Sequence, residues 1–357
     1  MWLNLCRELY NAALEERISS YKITGKSLST YDQHKHLPKV KEYRPEFKNV
    51  NSQTLQNTIE KLGKAYDGFF RRIKLGQKAG FPRFKSRDRY RSFTLVQHGW
   101  KLDGKFLYIK KVGRFKLYKS REIEGDIKTV TVKRDSCGDW FVTFSCDNVP
   151  MKPSRQNHVE PKEIGIDVGI KEFLTTSDGD TVSNPKHFVF SQKKLKIKQR
   201  SLCRKKKGGN RRKKQRKIVA KHHRKITRQR DDFQWKTAKK LVDENDVVFV
   251  ENLKISNMIK NHCLSKAIAD VSWASFISKL LFKAEEAGKE VIKVNPRNTS
   301  QMCSGCGCLV KKSLAVRTHD CPECGLILDR DLNAAINIKR VGQTRQALTK
   351  PVAVCVA

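Results

Sequence analysis

Two pairs of cysteines near the carboxyl end set the tightest limit on how this chain folds. Cys303 and Cys306 form one CxxC and Cys321 and Cys324 the other, with 14 residues between the pairs. Each pair is followed by glycine, as CSGCG and CPECG. Two residues between thiols let both reach one ion, and glycine permits the tight turn behind them. Four thiolates complete a tetrahedral zinc site with no open position, so the expected Zn²⁺ is structural. Redox pairing is the competing use, but CPEC lies in no thioredoxin-like βαβ context. Cys308 is read as a bystander. Most other cysteines are scattered singly, which favours metal over disulfides.

Charge limits the partners. The 357 residues include 75 Lys and Arg against 36 Asp and Glu, a net charge of +39. Self-repulsion on this scale calls for a polyanion, and nucleic acid is the obvious one. A membrane surface fits poorly, because no segment pairs a basic face with a long apolar face. The opening residues do not form a signal peptide, and no stretch reaches the ~18 uncharged apolar residues of a spanning helix. A soluble, cytoplasmic protein with no membrane partner is expected.

Composition changes along the chain. Residues 1–88 read as helical, with Leu3, Cys6, Leu9, Tyr10, Ala13 and Leu14 at helical spacing. A second helix starts near Ser52, carries Leu55, Ile59, Leu62, Tyr66, Phe69 and Phe70, and is capped by Asn51 or Ser52. The stretch GFPRFKSRDRYRSF interleaves aromatics with Arg and Lys. That suits stacking on bases as well as anchoring to a core. Over 89–150, short β-type runs separated by turn signals predict a small barrel or sandwich. From Glu163, IGIDVG reads as a buried strand and FLTTSDGDTV as its hairpin partner. Residues 193–230 are densely basic and predict two helices joined at Gly208-Gly209. A helix to about Leu241, the strand VVFVE, a helix over about 268–287 and the strand VIKV follow.

Three acids stand apart from solvated surface acids. Asp167 lies inside the apolar run 164–169, Glu251 ends the run 247–250, and Asp331 begins the helix-like DLNAAINI. A carboxylate in a buried strand is unfavourable unless paired or metal-bound. One such acid is commonly a structural oddity, whereas three along an α/β segment favour a shared site. Oxygen ligands suit Mg²⁺ or Mn²⁺, and two ions roughly 3.5–4 Å apart would clamp a scissile phosphate. Asp329 competes with Asp331 for the third place. Helix geometry lets Asp331 project toward the sheet, while Asp329 suits a cap. Lys-, Ser- and His-based hydrolase chemistry has no comparable pattern, and His222 and His223 sit in the basic run facing phosphate or solvent.

The ordered set IGIDVGIKEFLTTSDG, VVFVENLKISNM, VNPRNTSQMCSGCG, CPECG and LDRDLNAAINI resembles the TnpB family of transposon-encoded RNA-guided nucleases, related to compact type V CRISPR effectors. FPRFKSRDRYRSF resembles a further family element, so the resemblance covers nearly the whole chain. It implies a multidomain α+β protein of a prokaryotic cell. A helical recognition region would span 1–88 and a wedge-like β-barrel 89–150. A RuvC-like, RNase H-type α/β nuclease domain would span 161–296, with a basic helical insertion over 191–240. A zinc ribbon over 297–328 would precede the final RuvC segment and tail over 329–357. Asp167, Glu251 and Asp331 would be the catalytic, Mg²⁺-binding acids, and Cys303, Cys306, Cys321 and Cys324 the zinc ligands. A guide RNA derived from the transposon end would select double-stranded target DNA beside a short flanking motif. A monomer with RNA is the expected assembly. Members usually carry an N-terminal strand that completes the barrel, whereas this sequence opens almost directly in the first helix.

Three other readings compete with an RNA-guided endonuclease. A cleavage-deficient RNA-guided DNA-binding regulator of a transposon would bind without cutting. A transposase-type enzyme would give strand transfer instead of a break. A basic RNA-binding protein with a zinc ribbon would leave the three acids unexplained.

Overall fold

The computed structural model describes residues 1–150, 161–313 and 316–349. Contacts divide the chain at Pro150 into two compact units, 1–150 and 151–357. The expected tail beyond residue 349 lies outside the described residues. Among those described, no helix is long and apolar enough to cross a membrane.

The first unit opens with helix α1 (Trp2–Thr24), which ends at Gly25 in the left-handed region. Helix α2 (Thr30–Tyr43) begins with a capping box between Ser29 and Asp32. Helix α3 (Ser52–Lys74) is capped by Asn51, whose side chain accepts from the Gln53 amide at 2.9 Å. The apolar stripes anticipated on α1 and α3 face each other, with Leu14, Leu55, Ile59 and Leu62 fully buried. Each such side chain contributes about 1.5–3 kcal/mol on burial. Helix α2 was not separately legible, because polar residues and Pro38 blur its period.

Six strands follow: β1 (Ser92–Leu95), β2 (Trp100–Asp103), β3 (Phe106–Ile109), β4 (Gly113–Lys116), β5 (Asp126–Arg134) and β6 (Trp140–Asp147). The stretch expected to form a small barrel or sandwich holds two three-stranded antiparallel sheets, β1-β5-β6 and β2-β3-β4. The first joins β1 to the later β5-β6 hairpin, and the second is a local meander whose β2-β3 turn passes through Gly104. The aromatic-basic loop divides its labour: Tyr90 and Phe93 are buried, whereas Phe81 and Phe84 are about half exposed. Asn11 ties this loop to α1 by exchanging two hydrogen bonds with the Lys85 backbone.

The second unit is built on a mixed sheet. Strands β7 (Glu163–Val168), β8 (Glu172–Thr176) and β9 (Thr181–Ser183) form an antiparallel meander. Helices α4 (His187–Cys203) and α5 (Asn210–Glu244) come next, joined through Gly208-Gly209 as anticipated. A narrow seam of Leu195, Val219 and Ile226 packs them together, while Lys213, Lys214, Lys217, Lys221 and Lys225 are exposed. The basic helix and the helix expected to end near Leu241 are one continuous helix.

Strand β10 (Val247–Glu251) runs parallel to β7. Helices α6 (Ile255–Met258), α7 (Ser265–Val271) and α8 (Trp273–Glu286) lead to strand β11 (Glu290–Val294), parallel to β10. The expected single helix over 268–287 is broken at Ser272, where φ is +55°. The sheet order is β11-β10-β7-β8-β9. A short hairpin, β12 (Thr318–Asp320) and β13 (Ile327–Asp329), precedes helix α9 (Arg330–Thr349).

Alternation along the strands separates two faces. Ile164, Ile166, Val168, Val248 and Val250 pack with α5, α7 and α8. Val247 and Phe249 pack with Ile338 of α9 on the opposite face. Gly165 makes the α9 approach possible, since a Cβ there would lie 2.3 Å from the Ala335 carbonyl oxygen.

Candidate active site and metal centre

The two-residue period puts Asp167 and Glu251 on the face that receives α9. Val250 pairs with Ile166, so the next residue on each strand brings Glu251 level with Asp167 across neighbouring parallel strands. Along β7, Gly165 abuts Ala335 and Lys339, and Asp167 stands two residues further on, toward the start of α9. Asp331, one turn before Ala335, belongs to that end of the helix. Of the two candidates there, Asp329 caps α9: its Oδ1 accepts from the amides of Asp331 at 2.8 Å and Leu332 at 3.3 Å.

Electrostatics tie the three acids together. Burial, and then the charges of Glu251 and Asp331, hold the Asp167 carboxyl well above the usual range. Arg330 and the Val168 amide oppose this without cancelling it. Glu251 is 8% exposed. Burial pushes its carboxyl up, and a hydrogen bond donated by Thr299 Oγ1 to Oε1 pulls it back in part. Two buried acids driven toward the neutral form are a place where a cation is favoured. Asp331 differs, because its Oδ1 accepts from Arg330 Nη2 at 2.8 Å and Nε at 3.0 Å, and its Oδ2 from Arg317 Nη1 at 3.2 Å. Among the described residues, no three carboxylates converge as a ready-made cation cage. Thus Asp167 and Glu251 are brought together on one face, while Asp331 lies within their field but is held by two guanidinium groups.

The four cysteines do converge. Their Sγ atoms all lie within 4.8 Å of one another. Cys303 and Cys324 are 3.7 Å apart, and Cys306 and Cys321 3.5 Å. Sulfurs about 2.3 Å from a tetrahedral ion would be roughly 3.8 Å apart, so the set fits zinc. Gly307 and Gly325 adopt φ of +81° and +70° and donate back to the carbonyls of Cys303 and Cys321, which is the turn expected of a glycine after each pair. Burial pushes the Cys303 thiol up, but amides of Cys306 and Gly305, together with His319 and Cys324, outweigh it and bring it down to about 5. Backbone amides aimed at the sulfur favour the thiolate, the form that binds metal. Cys308 stays outside this cluster, although its carbonyl accepts from the Cys303 amide at 2.8 Å.

Several residues of the site escaped sequence reasoning. Thr299, Arg317 and Arg330 carry no local signal that ties them to distant acids. Asn333 and Asn337 did carry one, as two amides at i, i+4 within an otherwise apolar helical run. His222 is half-buried and His223 exposed on α5, within the basic run.

Comparison with known proteins bears on the whole chain. Residues 147–262 match the family model described as "Probable transposase", and residues 273–338 match "Cas12f1-like, TNB domain". A protein of Streptomyces pristinaespiralis named "Putative RNA-guided DNA endonuclease" is 34% identical, over 96% of this chain and 84% of its own length. A protein of Escherichia coli (strain K12) with a similar name is 30% identical over 94% and 86%. In the solved complex of Cas12f1 with sgRNA and target DNA, the matching chain is 20% identical, with a TM-score of 0.58 over 94% of this chain and 80% of that one, a likeness of fold. Identity at this level across nearly the full length settles the kinship: the chain belongs to the TnpB family.

Proposed function

We propose that this protein is an RNA-guided endonuclease that cleaves double-stranded DNA complementary to a bound guide RNA, next to a short flanking motif. The observation that carries the reading is the pairing of Asp167 and Glu251, level on adjacent parallel strands and both driven toward protonation by burial. A three-strand meander followed by two parallel strands supports a RuvC-like, RNase H-type nuclease domain for β7–β11 and α9. The names of the relatives support the guide RNA and the DNA substrate. Exposed lysines along α5 supply the charge for a nucleic-acid backbone.

In this reading Asp167 and Glu251 would hold the catalytic ions, with Asp331, now held by Arg317 and Arg330, as the third ligand. Mg²⁺ or Mn²⁺, when bound, supplies water activation and neutralisation of the leaving oxygen. The protein aligns the acids and buries them, so that a bound cation would favour their ionised form, and α9 closes the face that receives them. The zinc ribbon is structural. The guide RNA comes from the transposon end, and the helical region, the two β-sheets and the basic helices share its grip.

A second reading is favoured by the double ion pair on Asp331: a regulator that binds guided DNA without cutting. One experiment separates them. Protein is purified from cells expressing its native locus, and the accompanying RNA is sequenced. Plasmids carrying the matching target beside a randomised flank are then supplied with Mg²⁺. Depletion of plasmids with one flanking motif, absent for Asp167→Ala, supports the nuclease. Bound RNA and bound target without breaks would leave the regulator.

A further inference from the structure

Thr299, Asn333 and Asn337 have no role in the chemistry proposed above, yet all three are polar and sealed from solvent, at 3%, 0% and 0% exposure. Burying such groups is unfavourable unless their hydrogen bonds are met; Asn337 Oδ1 has no partner, but the bonds the other groups make form one continuous chain. Asn333 brackets Cys303: its Oδ1 accepts from the Ser304 amide at 2.9 Å, and its Nδ2 donates to the Met302 carbonyl at 2.8 Å. One turn on, Asn337 Nδ2 donates to the same carbonyl at 2.6 Å and to the Thr299 carbonyl at 2.9 Å. Thr299 Oγ1 in turn donates to Glu251 Oε1, with its alternative acceptor, the Pro296 carbonyl, farther away at 3.3 Å.

Two amides on one face of α9 therefore fix the backbone over 299–304, and that backbone carries the hydroxyl that holds Glu251. Without the bond, a glutamate has several staggered side-chain torsions open to it. With it, one charge-assisted contact selects an orientation. Resting on the nuclease reading, we propose that Thr299 is a positioning residue for Glu251. Asn333 and Asn337 lock Thr299 to the first cysteine knuckle, so the zinc-binding segment sets the orientation of a carboxylate in the nuclease centre. Partners one step behind a metal ligand commonly govern metal affinity and activity in this way.

The test compares wild-type protein, bound to its RNA, with Thr299→Val, Thr299→Ser, Asn337→Ala and the Thr299→Val/Asn337→Ala pair. Mn²⁺ binding is followed by electron paramagnetic resonance, alongside single-turnover cleavage, target-DNA affinity and zinc content. Valine keeps the shape and removes the donor. It is expected to weaken Mn²⁺ binding and cleavage by roughly 10–100-fold, with DNA affinity and zinc content unchanged. Serine restores both. The double variant is expected to lose little more than the worse single one, as residues in one relay do. Wild-type Mn²⁺ binding and cleavage in Thr299→Val, with Asp167→Ala inactive, would overturn the inference and leave the nuclease intact. Wild-type cutting by Asp167→Ala would overturn the nuclease reading and this inference with it.

Discussion

Arg317 and Asp331 form an ion pair, Nη1 to Oδ2 at 3.2 Å, that joins the segment between the cysteine pairs to the first turn of α9. Arg330 adds a second guanidinium on the other oxygen at 2.8 Å. A divalent cation approaching Asp331 would compete with both. The Arg317 side chain is 47% exposed, so solvent screens its share. Arg317→Ala is expected to lower the Mg²⁺ concentration for half-maximal cleavage roughly two- to fivefold, the scale of an exposed ion pair. An unchanged or higher requirement in a Mg²⁺ titration would count against this competition.

Asp167 sets a pH dependence whose sign can be worked out. Its folded pKa lies above the unfolded value, so its contribution to stability is fully present below the unfolded value and is lost as pH rises through the folded one. Without Mg²⁺ or Mn²⁺, the zinc-loaded protein is therefore expected to lose stability from mildly acidic toward neutral pH. Asp167→Asn should remove that loss and melt higher at neutral pH, by about 0.5–2 kcal/mol, while abolishing cleavage. Calorimetry at two pH values checks both parts, and an Asn variant that melts lower contradicts them.

Gly165 tests the seating of α9. A methyl group there meets backbone, the Ala335 oxygen at 2.3 Å and the Lys339 nitrogen at 2.7 Å, which no side-chain rotation relieves. Gly165→Ala is expected to destabilise the second unit by about 1–3 kcal/mol and to lower cleavage more than DNA binding, since Asp331 moves with the helix. Denaturant unfolding and parallel binding and cutting assays measure this.

Much of the second unit was legible in its sequence because single residues carried unusual signals. Asp167 and Glu251 stood out as acids in apolar runs, and their placement on one face follows from strand period alone. The CxxCG pairs specified both the converging thiols and the positive-φ glycines. Strand runs foretold β-structure over 89–150 but not its pairing: β1 joins β5 across two intervening hairpin turns, while β2-β3-β4 pairs locally. Arg317, Arg330 and Thr299 were illegible for a related reason. Each acts through a contact that tertiary packing creates, and nothing in the neighbouring residues encodes the partner.

Cys321→Ser removes one of four thiolates. Zinc content is expected to fall toward zero, and the melting temperature with it, since binding a structural ion is coupled to folding of its loops. Elemental analysis of the purified variant is the check, and full zinc occupancy would mean that the ligands are misassigned.

The exposed lysines of α5 should appear in the salt dependence of binding. For non-specific duplex DNA, log K is expected to fall by about 0.9 per phosphate contact for each tenfold rise in salt. Replacing Lys213, Lys214, Lys217 and Lys221 with Gln should flatten that slope with little change in melting temperature. An unaltered slope across a salt titration would exclude this face from backbone contact.

Guide RNA is expected to direct this protein to cut DNA with Asp167 and Glu251. The most direct measurement replaces the targeting segment of the co-purified RNA with a new sequence and presents the matching duplex, beside the flanking motif, in Mg²⁺. Wild-type protein is expected to cut the newly matched duplex and spare the old one, while Asp167→Ala and Glu251→Ala bind it and leave it whole. Cutting that ignores the new sequence would exclude guidance by the RNA, and cutting that persists in both variants would exclude these two acids from the chemistry.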